Sequence, residues 1–324
     1  MKNRKLKLGL LVMAAVTVFT ATAFAAGTGN EGYETLKQIM KDSRGKEVLT
    51  SASVDGTFRL SDNGKLITEL GGRVKADHES KESSGNVQIS LKGRQQDLSF
   101  FQNGEEVYLS DETNNKYYKL VNAEHGKYGK NMEYNKEDYD YAGDHEMGAA
   151  EEKLIDYLAG DLKSQIALTR NPDGSKTLTM DLDQNEIPMP LNLLTAVAVG
   201  NKGIDQDSSD RTELDRVRKQ LLAEKLPFLK DYLDIDNNLV PALKENVRLA
   251  ALVIKVNVDQ DNQIKSLEVR VSITGNDAGG TYHDISLQGS AAVSDINKTS
   301  ADKFNADGKN VEIINAEDFK CSRE

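Results

Sequence analysis

Nine short stretches of the chain alternate apolar and polar residues with a period of two, and each has a single apolar face. In the most regular, Leu66, Thr68, Leu70, Gly72, Val74 and Ala76 share one side, while Glu69, Arg73, Lys75 and Asp77 share the other. A strand of this kind belongs to an antiparallel sheet that is wet on one side and covered on the other. Val54, Gly56, Phe58 and Leu60 precede it across an Asp62-Asn63-Gly64 turn, and Val87, Ile89 and Leu91 follow. Leu98, Phe100, Val107, Leu109, Tyr118 and Leu120 mark three more strands, separated by Asn103-Gly104 and Asn114-Asn115 turns. A second series runs through Leu252 to Val258, Leu267 to Ile273 and Ile285 to Leu287, with a hairpin at 162–183 before it and an edge strand at Val311 to Ile314 after it.

Helical spacing interrupts the strands at four places. Tyr33, Leu36, Ile39 and Met40 lie on one side of a helix at 33–41, and Leu154, Ile155 and Leu158 mark another at 148–159. An almost uniformly apolar run at 187–199 reads as a third, with Pro190 near its start. Leu214, Val217, Leu221 and Leu222 form the seam of a fourth at 211–231, which Pro227 kinks or ends early. Residues 122–147, with Tyr128, Tyr134, Tyr139 and Tyr141 among charged neighbours, read as a long exposed loop. The pattern predicts an α+β fold: a large, strongly twisted antiparallel sheet with helices on one face. It spans 26–300, with a polar tail at 301–324. Similar Asp-Asn openings at Asp62-Asn63 and Asp261-Asn262 suggest either two related halves, about 33–147 and 148–300, or a chance likeness between hairpins.

The first 25 residues change the picture. Lys2, Arg4, Lys5 and Lys7 precede an apolar core from Leu8 to Phe19, and Ala23-Phe24-Ala25 offers a cleavage site. The expectation is a signal peptide, a mature chain starting at Ala26, and a secreted or cell-envelope location in a bacterium. No later stretch has the length of a transmembrane helix. Without the four basic residues of the signal, 37 Lys and Arg face 52 Asp and Glu, a net charge of −15. Such a field repels nucleic acid and anionic membrane surfaces. Cys321 is the single cysteine, so no internal disulfide staples the fold.

Catalytic patterns are missing. His78, His125, His145 and His283 are scattered without metal-ligand spacing, and neither a Gly-x-Ser-x-Gly elbow nor a Gly-rich phosphate loop occurs. Asp234, Asp236, Asn238 and Glu245 match four positions of a calcium loop, but Leu239 stands where the turn requires glycine. The expectation is no enzyme, no metal and no cofactor.

The segment 187–199 supplies the candidate binding residues Ile187, Met189, Leu191, Leu193, Leu194 and Val197. It is either a packed core helix or one wall of a site for a hydrophobic ligand. The order of helix, one-sided strands, apolar helical segment and further strands ending at Val293 to Asn297 resembles the lipoprotein carriers. That group includes the LolA- and LolB-like proteins and the lipoglycan-binding exported proteins of mycobacteria. The resemblance implies an open half-barrel whose concave face is covered by helices, with acyl chains bound between. The expected function is therefore an exported, non-enzymatic protein that binds or senses a lipid or other hydrophobic ligand, with an envelope protein as a further partner. An extracellular interaction module filled by its own helices is the second reading. A secreted hydrolase with a dispersed site is the third, and clustered titratable groups in a cleft would favour it.

Overall fold

A computed structural model describes residues 31–45, 50–91, 93–104, 106–121, 160–200, 223–229 and 240–315. The segment expected to be a signal, the Tyr-rich stretch, the helix expected at 148–159, most of the helix expected at 211–231, the calcium-like Asp234, Asp236 and Asn238, and Cys321 lie outside the described residues. No described helix is long and apolar enough to cross a membrane.

Twelve strands form one sheet. The first run is β1 (Ser51–Asp62), β2 (Lys65–Asp77), β3 (Glu82–Leu91), β4 (Arg94–Asn103), β5 (Glu106–Asp111) and β6 (Lys116–Val121). The second is β7 (Ile166–Arg170), β8 (Lys176–Asp183), β9 (Glu245–Val258), β10 (Ile264–Asn276) and β11 (Tyr282–Ser294). Within each run every strand pairs antiparallel with the next, and the two runs meet along one seam, β1 against β11. Turn chemistry sets the corners. Asn63 and Gly64 both have positive φ, 50° and 76°, which makes the β1–β2 connection a two-residue turn whose twist suits a hairpin.

The last strand, β12 (Val311–Asn315), pairs parallel with β6 at the far edge. Its direction follows from its route. The chain leaves β11 at the seam, crosses the polar face of the first run as a strap at 295–310, and reaches the edge already aligned with β6. Asp302 accepts from Lys75 Nζ at 2.9 Å, and its own N–H donates to Ser84 Oγ at 2.8 Å. Phe304 stacks on Tyr108 with ring centroids 4.7 Å apart, and Lys309 Nζ lies 4.4 Å from the centroid of Tyr117.

Between β2 and β3 the backbones approach closely at two glycines. A methyl group on Gly72 would lie 2.1 Å from the Asn86 carbonyl oxygen, and one on Gly85 would lie 2.7 Å from that of Arg73. Each glycine is therefore overlapped by the backbone of the neighbouring strand, an approach that only a residue without Cβ permits.

Two helices with more than two turns are described, α1 (Glu31–Gly45) and α2 (Met189–Gly200). They correspond to the helices expected at 33–41 and 187–199. A short helical stretch at 223–225 gives way to a 3-10 turn at Pro227–Leu229, consistent with Pro227 ending the expected helix. The main core is built where α1 and α2 meet the second run: Tyr33, Leu36 and Ile39 pack with Leu178, Met180, Leu182, Ile254 and Val256, among others. A smaller cluster at the other end joins Tyr118, Ile314 and Leu226.

The expectation of an α+β half-barrel with helices covering its concave face is not met. What forms is a large open sheet, antiparallel except at the β12–β6 edge, with α1 packed mainly on β7 and α2 mainly on β9. Size explains the difference. Twelve strands at about 4.8 Å spacing span roughly 50 Å, whereas helices of this length extend about 18 to 22 Å. Two of them cannot cover such a face.

Candidate binding face

Strand alternation and register carry one apolar face across the whole sheet. Phe58 stands opposite Leu70, Leu70 opposite Ile89, Val87 opposite Leu98, and Phe100 opposite Leu109. On the other side of the seam, Leu60 faces Leu287, Leu287 faces Val271, Val271 faces Leu252 and Leu252 faces Leu182. The two buried clusters occupy the ends of this face. Between them, Val54, Leu70, Val74, Val87, Ile89, Leu98 and Phe100 belong to neither. Six of these are half-buried, and Val74 is 37% exposed. The main helix contacts in the described residues lie elsewhere, α1 on β7 and α2 on β9.

The six residues singled out at 187–199 divide. Ile187 is buried in the main core and Leu191 packs against it. Met189 and Leu193 stand 75% and 60% exposed. The side chains of Leu194 and Val197 lie outside the described residues. Polar bonds fasten this helix: Asn192 Oδ1 accepts from the Leu249 N–H of β9 at 2.8 Å, and Thr195 Oγ1 donates to the Leu191 carbonyl at 2.8 Å. Of the four whose side chains are described, Ile187 and Leu191 share the main core and Met189 and Leu193 do not. The apolar face of β1–β4 was missed as a site because half-exposed strand residues carry the same alternation as buried ones.

The opposite face is polar. A groove of about 600 Å³ crosses β2, β1, β11 and β10, bordered by Asp55, Arg73, Asn86, Ser266, Glu268 and Ser290. Arg73 donates through Nε and Nη2 to the two carboxylate oxygens of Asp55 at 2.7 and 2.9 Å. Both side chains are about half exposed, so the pair is screened by water and adds little to stability. Thr57 and Ser290 share a hydroxyl hydrogen bond of 2.7 Å on the floor.

Titratable groups gather at two other places. Asp111 is buried, accepts from the Gln96 side-chain amide, and accepts from Asn114 through its backbone N–H at 3.0 Å and its side chain at 2.8 Å. Those bonds satisfy it as a turn anchor. Burial, with the nearby Asp111 charge, pushes the Tyr118 phenol up. At the open end of the seam, His283 Nδ1 lies 2.8 Å from Asp62 Oδ2 and Nε2 lies 3.5 Å from Asp277 Oδ2. The hydrogen bond to Asp62, aided by its charge and by Asp277, raises the imidazole above its ordinary value. Nδ1 is thus held by Asp62, while the buried Nε2 makes no hydrogen bond and has the Asp277 carboxylate as its nearest charged neighbour. No group of three metal-ligating side chains converges among the described residues.

The chain matches no protein-family model, and no curated protein sequence matches it. Among solved structures, one similar chain is described as "lipid-protein interactions in lipovitellin". It is 7% identical, with a TM-score of 0.24, and the likeness covers 81% of this chain and 26% of that one. A porin-like protein from Bacteroides uniformis is also 7% identical, with a TM-score of 0.19, covering 76% of this chain and 98% of the other. The present chain thus spans about a quarter of the lipovitellin chain. Neither of the two is a LolA- or LolB-like carrier, and similarity at this level says no more than that large sheets are shared.

Proposed function

We propose that this chain is an extracytoplasmic, non-enzymatic binding protein that holds acyl chains against the apolar face of β1–β4. One observation carries the reading: Val54, Leu70, Val74, Val87, Ile89, Leu98 and Phe100 form a continuous apolar surface outside both buried clusters. Contiguous apolar surface exposed to water is unfavourable by about 25 cal/mol per Å² and commonly marks a binding site. A face of aliphatic and phenyl groups suits a methylene chain. The net negative charge argues against attraction to anionic headgroups. The basic, apolar and small-residue sectors of the first 25 residues support the location.

The test is titration of the mature protein with a fluorescent fatty acid. Val74→Asp should weaken binding by about tenfold or more, equivalent to about 1.4 kcal/mol. Its effect on stability should be small, because Val74 is already partly exposed. Leu193→Gln on α2 serves as the comparison. If Leu193→Gln abolishes binding and Val74→Asp does not, the site belongs to α2 rather than the β1–β4 face. A folded wild-type protein that binds no acyl probe defeats the proposal. Native mass spectrometry of protein purified from its own envelope would identify the lipid by mass.

A further inference from the structure

The seam between the two strand runs is fastened differently at its two ends. At one end Asn297 Oδ1 accepts from the Thr50 N–H at 2.9 Å, and the Asn297 N–H donates to the Ser51 carbonyl at 2.7 Å. Neither bond involves a titratable group. At the other end the β1–β2 turn meets the start of β11. The Asn63 N–H donates to the Asp284 carbonyl and the Asp284 N–H to Asn63 Oδ1, both at 2.9 Å, while Asn63 Nδ2 donates to the Tyr282 carbonyl at 3.2 Å. His283 sits within this knot, its side chain 12% exposed.

Its surroundings dictate its protonation state. A carboxylate only accepts, so Nδ1, at 2.8 Å from Asp62 Oδ2, must carry a proton. In a neutral ring Nε2 would then be a bare lone pair, buried, and 3.5 Å from an oxygen of Asp277. Only the imidazolium turns both nitrogens into donors and sets one positive charge between two negative ones. Asp62 Oδ1 is also buried without a hydrogen-bond partner, which leaves more negative charge near the ring. The third nearby carboxylate, Asp284, is turned away and accepts from Ser272 Oγ at 2.6 Å. Among the described residues, neither Asp62 nor Asp277 pairs with a lysine or arginine.

We infer that protonated His283 clamps the Asp62 end of β1 to the Asp277 turn between β10 and β11, and that this end of the seam loosens when the ring loses its proton. The device does not depend on what the apolar face binds. Because each turn comes from a different run of strands, releasing the clamp frays the junction of the two runs at one end only.

Deuterium exchange on the full mature chain, corrected for base-catalysed intrinsic exchange, reads each end directly. Protection of the Asn63 and Asp284 amides should fall several-fold as pH rises through the His283 titration. Protection at Thr50 should not change. The His283 midpoint, followed by NMR of the ring proton, should lie above about 6.5, the ordinary value. Asp277→Asn, on an exposed turn, should lower that midpoint, and His283→Gln should remove the pH dependence at Asn63 and Asp284. A midpoint at or below the ordinary value, an unmoved midpoint in Asp277→Asn, or equal loss of protection at both ends would overturn the inference. If His283→Gln does not fold, the Asp277→Asn comparison still decides.

Discussion

At the scale of single residues, position matters more than type. Asn63 and Gly64 are readable from the chain because a two-residue turn with both φ positive needs such residues. Gly72 and Gly85 occur in stretches that otherwise read as ordinary strand, and only the partner backbone shows why a side chain is forbidden there. Gly72→Ala should therefore destabilise the protein by more than the ~1 kcal/mol of a typical substitution, read from denaturant midpoints. Gly64→Ala should also destabilise, through backbone strain rather than collision, because nothing lies within 4 Å of its added methyl. His283 shows the same dependence on context. Asp62 is 221 positions away, so no local spacing announces the pair. Its raised pKa has a definite sign in stability. The contribution is complete below the unfolded-state value and is lost as pH rises through the folded-state value. Unfolding midpoints of wild type and His283→Gln should therefore converge on the alkaline side of that titration and separate on the acid side.

Among the elements, periodicity identified strands well and burial poorly. The uniformly apolar run at 187–199 does form a helix, but no pattern around its circumference says which side packs. The structure puts Leu191 against the core and leaves Leu193 in water. Leu178→Ala, at a fully buried site, should cost about 2–5 kcal/mol, whereas Leu193→Ala should fall within about 0.5 kcal/mol. Asn192→Ala should cost about 1–3 kcal/mol by orphaning the Leu249 N–H of β9. Chemical denaturation of the three variants ranks them directly. An equal cost for Leu193→Ala and Leu178→Ala would mean that α2 packs otherwise than described.

For the whole molecule, the strap at 295–310 and the single β1–β11 seam hold the sheet together. Phe304 stacks on Tyr108 and lies near Phe101 and Tyr117, so Phe304→Ala should loosen the β12–β6 edge at a cost of about 1–2 kcal/mol. Exchange at the amides of β12 should accelerate more than at β9. The sequence by itself determined the strands, their alternation and most of their turns, because a period of two and residues such as Asn63 and Gly64 are local properties. It also supplied α1, α2 and the edge strand at 311–315. Which strands meet across the seam, that β12 runs parallel, and that α1 and α2 pack mainly at the β7–β9 end of the sheet were decided by tertiary structure. Those outcomes rest on contacts between residues more than 200 positions apart, such as Asp62 with His283 and Lys75 with Asp302. They also depend on the reach of two short helices across a sheet far wider than either, a length comparison that can be made only once all twelve strands are known to share one sheet.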